Sequence, residues 1–411
     1  MRVIHLNHSD ISGGAARAAY RIHLCLRDAE VDSRMWVNKA SAGDWTVEEP
    51  ATKVAKAFAA ARAHAVNPLV KTLKTANPII HSPAILPSQW VKRINASEAE
   101  IVHLHWVQNE MLSIADIDRI KKPIVWTLHD MWAFCGAEHL AWDDRWREGY
   151  RRDNRPAHES GFDLNRWTWQ RKRKHWRKPI HIITPSQWLA DCVRESALMR
   201  DWPVFVVPNP IDVERWKPFE RSLARELLDL PVDVPLLLFG SHSENYAHHK
   251  GFDLLLNALE HIRNDPRAKG MELVVFGQCA PQSTPNLGFP IHYIGYLHDD
   301  PSLRALYSAA DALVVPSRQE AFGQIASEAH ACNTPVIAFQ TGGLLDIVDH
   351  QRTGYLAKPF DTEDLANGIA WVMAQREMGQ LGVQARQRAV TWFDSRAVAK
   401  QYIDIYESIL G

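Results

Sequence analysis

Hydrophobic positions in this chain cluster into short runs of four to six residues, and most runs are followed by a longer segment with helical spacing. Arg2–Asn7 is apolar and β-branched, Ser9–Gly14 reads as a turn, and Ala15–Asp28 has helical composition, which predicts a β-loop-α unit with a glycine pair at the bend. Further strands are predicted at Met35–Val37, Ile101–His105, Ile124–Leu128, His181–Thr184 and Val204–Val207. Helices are predicted between several of them, notably Ser113–Ile120 and a Ser-capped Ser186–Ser196. The stretch Val207-Pro-Asn-Pro-Ile-Asp212 is rich in turn residues and reads as a linker.

Beyond it the alternation restarts. Strands are predicted at Leu236–Phe239, Leu273–Phe276, His292–Ile294, Ala312–Val315, Val336–Ala338 and Tyr355–Ala357. Helices fit Phe252–Arg263, Pro301–Ser308, Gln324–Cys332, Thr362–Ala374, Gly379–Trp392 and Ser395–Leu410. Strands alternating with helices predict doubly wound parallel sheets, and two such halves predict a ligand cleft between them. The expected architecture is α/β, with an N-terminal Rossmann-like domain over 1–207, a C-terminal one over 208–394, and the helix 395–411 packing back on the first.

Bulk composition narrows the function classes. A chain of 411 residues exceeds the size at which single cores stop growing, in line with two domains. With 46% hydrophobic and 23% charged residues and a net charge of -1, it has no global pull toward nucleic acid. Five scattered cysteines without a Cys-x-x-Cys pair argue for a reducing compartment, and no apolar run reaches the length of a membrane span. The expected location is cytoplasmic.

Two segments interrupt the alternation. Ala51–Lys74 carries five Lys and Arg on an Ala-rich helical pattern without an acid. Arg145–Lys178 is basic, with Trp146, Tyr150, Trp167, Trp169 and Trp176 interleaved. Each fits a solvated surface element or contact with an anionic membrane face.

The chemistry concentrates in Glu320-Ala-Phe-Gly-Gln-Ile-Ala-Ser-Glu328. A buried strand leads to Glu320 and a helix follows, so Glu320 lies at the carboxyl end of a parallel strand, where open α/β sheets bind ligands. Amides near Phe322 and Gly323 open the helix and attract anionic or sugar oxygens. Glu328 lies about 10–12 Å further on, a span that suits the two ends of a nucleotide-sugar.

Gly13-Gly14 after the first strand, Thr127-Leu-His129-Asp130-Met-Trp132, Pro208-Asn-Pro-Ile-Asp212, Lys250-Gly251, Glu320-x7-Glu328 and Thr341-Gly342-Gly343 occur in that order. With these motifs the chain resembles, over nearly its whole length, the retaining GT-B glycosyltransferases of family 4, also called glycosyl transferases group 1.

The resemblance implies sugar transfer from a nucleotide-diphosphate donor, without metal or further cofactor, to a glycan or lipid-linked acceptor in surface polysaccharide synthesis. It implies catalytic roles for Glu320, His129 and Lys250, with Lys250 steadying the departing diphosphate and Glu320 holding the donor sugar's hydroxyls. Donor contacts are expected from Gly13, Gly14, Phe322, Gly323, Gln324, Ile325 and, for the ribose, Glu328. Gln278, Tyr296 and Leu297 are expected near the base.

The Arg that usually precedes the Lys in this family is absent, since Phe239-Gly240-Ser241-His242 occupies its place. Arg17, His242 and His249 are the candidates for a second phosphate contact. Asp10, His105, Asp130 and Trp132 are candidates for the acceptor side, with an Asx turn the equal alternative for Asp10 and a buried structural role for His105. Asp130 is expected to orient His129.

Asp116-Ile-Asp118 has the form used by metal-dependent transferases but falls inside a predicted helix. A sugar-nucleotide epimerase, a phosphorylase or a non-catalytic nucleotide-sugar or glycan binder are the alternatives on the same fold. A nicotinamide oxidoreductase lacks its Gly-x-Gly-x-x-Gly.

Overall fold

The computed structural model describes residues 1–240, 249–281, 287–297 and 299–411. The chain folds as two compact units, one of Met1–Pro210 together with Arg396–Gly411, the other of Ile211–Ser395.

The strands in chain order are β1 (Arg2–Ser9), β2 (Asp32–Lys39), β3 (Val47–Glu48), β4 (Leu73–Lys74), β5 (Ile101–Leu104), β6 (Ile124–Thr127), β7 (Ser160–Gly161), β8 (His181–Thr184) and β9 (Val204–Val206). They continue with β10 (Leu236–Gly240), β11 (Glu272–Phe276), β12 (Ile291–Gly295), β13 (Ala312–Val315), β14 (Val336–Phe339) and β15 (Gly354–Ala357).

The first unit is built on a seven-stranded sheet of order β3-β2-β1-β5-β6-β8-β9, in which every pairing is parallel. Its central strands are buried on both faces, which is why β1 and β5 are buried at consecutive positions, His5 and His103 included, and do not alternate between buried and exposed. The helix Gly14–Asp28 turns Ala16, Ala18, Ala19, Ile22, Cys25 and Leu26 inward, a 3.6-residue stripe against the sheet. The last helix, Ser395–Leu410, adds Val398, Ala399, Tyr402, Ile405 and Tyr406 to the core formed by Val3, Ile22, Ile101, Val125 and Ile183. Strands β4 and β7 form a separate antiparallel ribbon.

The second unit has a six-stranded, all-parallel sheet of order β12-β11-β10-β13-β14-β15. One face packs under the helices Phe252–Ile262 and Thr362–Ala374. The other packs under Asp300–Ala309, Gln324–Ala331 and Gln380–Trp392.

The expected parallel α/β architecture is present in both units. The strands and helices with strong periodicity lie within one to three residues of expectation. Strand β3, the β4–β7 ribbon and the helix Trp90–Ala96 were not anticipated, because two-residue strands and a seven-residue helix carry too little periodicity to register.

Candidate functional site

In the second unit strand order reverses between β10 and β13, the switch point where open α/β sheets bind ligands. The chain leaving β13 forms the loop 316–323 and enters the helix Gln324–Ala331, capped by Gly323. Glu320 stands in this loop. Its Oε1 accepts from Lys250 Nζ at 2.6 Å and from Ser317 Oγ at 2.9 Å.

Burial pushes the Glu320 carboxyl up, but the charges of Lys250 and His249, with the hydrogen bonds from Lys250 and Ser317, outweigh it and hold it below the usual carboxylate range. His249 joins the same cluster through its carbonyl, which accepts from Arg318 N–H at 3.0 Å.

Two close approaches explain the glycine motifs. Gly251 has φ +69°, and a Cβ there would lie 1.9 Å from Pro316 O, so the turn carrying Lys250 lies directly on the Glu320 loop. Gly342 has φ +58°, and its added Cβ would lie 2.4 Å from Glu320 O, while Gly343 N–H donates to that same carbonyl at 2.8 Å. Gly251 and Gly342, 91 residues apart in sequence, therefore serve one loop.

Glu328 is buried on the helix and accepts from Tyr307 OH at 3.0 Å. Gln324, at the helix start, has its side-chain amide nitrogen buried without a hydrogen-bond partner among the described residues. Ile325 packs partly buried against the core. Phe322 is buried edge-on against Phe393, so only its main chain is left for a ligand. Gln278 follows β11, and Tyr296, half exposed, and Leu297 follow β12, at the same edge of the sheet. His242 lies outside the described residues.

In the first unit the switch point falls between β1 and β5. Gly13 and Gly14 begin the first helix, where an added Cβ on either meets nothing within 4 Å, and Arg17 lies one turn on, its N–H donating to Gly13 O at 3.0 Å. His129 follows β6, with Nε2 3.1 Å from His105 Nδ1. Burial pushes His129 down to about 4, although the Asp130 carboxylate works the other way, so the ring is neutral at ordinary pH.

Residues 233–388 match the family model described as "Glycosyl transferases group 1", and residues 12–215 match the one described as "Glycosyltransferase Family 4". The chain belongs to glycosyltransferase family 4. The group 1 match contains Lys250, Glu320 and Glu328, and the N-terminal match contains Gly13, Gly14, His105, His129 and Asp130.

Among curated relatives, the D-inositol 3-phosphate glycosyltransferase of Xylanimonas cellulosilytica is 33% identical over 251 residues, 55% of this chain and 58% of the relative. That of Saccharomonospora viridis is 32% identical over 51% of each chain. The chain thus matches about half the length of these relatives. Among solved structures, sucrose-phosphate synthase from Thermosynechococcus elongatus superposes with TM-score 0.69 at 19% identity, over 100% of this chain and 99% of that one. Anabaena Alr3699/HepE in complex with UDP-glucose superposes with TM-score 0.65 at 17% identity, over 99% and 100%. These likenesses show the GT-B fold.

Several expectations for this family 4 chain are corrected by the geometry. Asp10 is fully buried and accepts from the N–H groups of Ile11, Ser41 and Ala42 at 2.8, 2.6 and 2.7 Å, so its carboxylate braces loops. Asp130 does not orient His129. Its oxygens take Trp106 Nε1 at 2.9 Å, His139 Nδ1 at 2.5 Å and Trp132 N–H at 2.9 Å, and these hold its carboxyl low against burial.

Trp132 is fully buried with its indole donating to Ser82 O at 2.8 Å, and His105 is likewise buried, its carbonyl accepting from Trp126 Nε1 at 3.0 Å and its ring meeting His129. Asp116 closes a capping box with Ser113, its Oδ2 2.7 Å from Ser113 Oγ, which is a structural use of the Asp-x-Asp.

Ser317, His139 and Trp106 received no role from the sequence. Only the position of Ser317 at a strand-end turn hinted at one.

The basic aromatic segment turns inward. Trp146, Tyr150, Trp169 and Trp176 are buried. Lys172, fully buried, donates to the carbonyls of Trp132, Cys135 and Gly136, the last at 2.7 Å, and sits 3.7 Å from the Trp132 ring centroid. Interleaved aromatics and cations mark a folded cap whose cations satisfy buried carbonyls.

Proposed function

We propose that the protein is a retaining, metal-independent glycosyltransferase that moves a hexosyl group from a nucleoside-diphosphate sugar to a hydroxyl of a glycan or lipid-linked acceptor in surface polysaccharide synthesis. The observation that carries this reading is the Lys250–Glu320 pair at the switch point of the second unit, beside a helix N-terminus with the unsatisfied Gln324 amide. A leaving diphosphate needs positive charge where its own charge develops. Lys250, held over the loop 316–323, supplies it. Glu320 is the acceptor for sugar hydroxyls, and the main chain of Phe322, Gly323 and Ile325 offers amides.

On this reading the second unit binds the donor, with Glu328 on the ribose and Gln278, Tyr296 and Leu297 around the base. The first unit binds the acceptor near His129, and within the second unit His249 stands beside Lys250 for the phosphates. Retention follows if the departing diphosphate takes the acceptor proton on the face it leaves. The relatives named D-inositol 3-phosphate glycosyltransferase bring in a phosphorylated cyclitol as a second acceptor class, and the neighbour holding UDP-glucose supports a uridine donor.

UDP-glucose at about 100 times its dissociation constant is expected to stabilise the protein by about 2.7 kcal/mol, read as a raised melting temperature, with GDP- and dTDP-sugars as comparators. Transfer to inositol 3-phosphate or to a lipid-linked glycan, followed by mass spectrometry with and without EDTA, then separates the acceptor classes. Failure of every nucleotide-sugar to protect would overturn the reading.

Membrane contact, where it occurs, falls to the helix Lys53–Ala65. None of its residues is buried, and Val54 and Phe58 are strongly exposed. Among the described residues no helix is long and apolar enough to cross a membrane. Co-sedimentation with anionic vesicles is expected to fall in Phe58→Glu, and unchanged co-sedimentation would remove the contact.

A further inference from the structure

The core of the first unit holds a row of histidines that the roles above do not use. His5 and His103 lie on β1 and β5 and His105 directly follows β5, all three fully or almost fully buried. His5 Nδ1 is 2.9 Å from His105 Nε2, and His105 Nδ1 is 3.1 Å from His129 Nε2. We propose that His5 and His105 are positioning residues that lock His129 into its Nδ1–H tautomer, so that His129 meets the ligand as a hydrogen-bond donor and not as a base. The ligand's identity rests on the glycosyl-transfer reading above; the tautomer does not.

The argument is one of counting protons. Burial pushes His5 and His105 well below the ordinary histidine range, and His129 is low as well, so each ring carries one N–H and one lone pair. Each contact needs one of each, so the row has two consistent arrangements.

If the protons run away from His129, each ring is protonated at Nε2. His129 donates to His105, His105 donates to His5, and the proton of His5 sits on its Nε2. That atom is buried and has no hydrogen-bond partner among the described residues, so the arrangement strands an N–H in the core. If the protons run toward His129, all three rings are protonated at Nδ1 and His5 Nε2 carries only a lone pair. Orphaned buried N–H groups are the rarer defect, and this favours the second arrangement. His129 then exposes Nδ1–H at the end of β6.

Among the described residues no carboxylate hydrogen-bonds to the row. Asp130, the acid beside His129, is committed to Trp106, His139 and the Trp132 N–H.

Ring nitrogens of His5, His103 and His105 lie within 4.8 Å of one another, which leaves a metal as the rival occupant. It is the weaker one. His103 already spends both nitrogens, on Tyr406 OH at 2.6 Å and Thr127 Oγ1 at 2.7 Å, and His105 spends both on its neighbours in the row.

The test is nitrogen NMR of the full chain with 15N-labelled histidine, assigned with His129→Gln and His5→Gln. Three Nδ1–H rings at positions 5, 105 and 129 are expected. Three Nε2–H rings, or a metal found by elemental analysis and shifting these signals, would overturn the proposal.

Kinetics give a second reading. The amide nitrogen of His105→Asn takes the place of Nδ1, and this variant is expected to keep kcat within about threefold. His105→Gln, whose nitrogen replaces Nε2 instead, should lose at least about tenfold in kcat with little change in donor KM. Equal losses in the two variants, with melting temperatures matched, would assign His105 a merely structural role. An absence of transfer activity leaves the NMR result standing and counts against the function alone.

Discussion

If the chain transfers sugar as proposed, Glu320→Ala is expected to lower that transfer by about 10²–10³-fold while the protein still folds. The size follows from what a positioned charged group contributes at developing charge in a water-poor site. Here the carboxylate is fixed by Lys250 and Ser317, and the loop bearing it is pinned between the turn at Gly251 and the pair Gly342–Gly343.

Folding survives because the partner left behind is not stranded. The Lys250 side chain is 32% exposed and can be hydrated once the carboxylate is gone. Initial rates and melting curves on the same preparation separate the two effects, and a rate near that of the unaltered protein would remove Glu320 from the chemistry.

The pair also sets a direction with pH. A carboxyl held below its ordinary range in the folded state adds stability above that range and loses it as the pH falls through the depressed value. The acid side of the stability profile should therefore flatten in the variant.

Lys172→Met is the largest expected stability loss. Burial pushes Lys172 down to about 7, yet its Nζ donates to three carbonyls, those of Trp132, Cys135 and Gly136, a set that only the charged form with its three N–H groups satisfies. Methionine keeps the length and loses all three donors. At about 1–3 kcal/mol for each stranded acceptor, the variant should lose at least about 3 kcal/mol. Chemical denaturation reads the loss directly, and a change under about 1 kcal/mol would mean that water replaces the ammonium. The segment at risk follows His129 and Asp130, so donor protection should remain in whatever fraction stays folded while acceptor turnover falls.

What could be read in advance followed from how the signal is spread along the chain. Parallel strands such as β10 and β13 announce themselves as buried apolar runs, and the helix Thr362–Ala374 by its periodicity, so both sheets were legible. Glu320 and Lys250 were legible as partners because each stands at a strand end or helix start, where spacing in sequence still limits position.

The N-terminal details were not. Whether Asp130 faces His129 or Trp106 depends on a rotamer and on His139 folding back nine residues later, which no periodicity encodes. The Trp-rich segment misled for a related reason: alternating aromatic and basic residues describe a membrane-facing surface and a cation-pinned interior equally well. Only the carbonyls that Lys172 meets tell them apart.

The closing helix has a bearing on biosynthesis. Tyr406 holds His103 at 2.6 Å and packs with Tyr402 into the core of the first unit, yet these residues leave the ribosome after all of Ile211–Ser395. At about 5–20 residues per second, the nascent amino-terminal half waits roughly 10–40 s with that side of its sheet uncovered. Its vulnerable period is thus set by translation of the other half, and a carboxyl-terminal truncation would prolong that period without end.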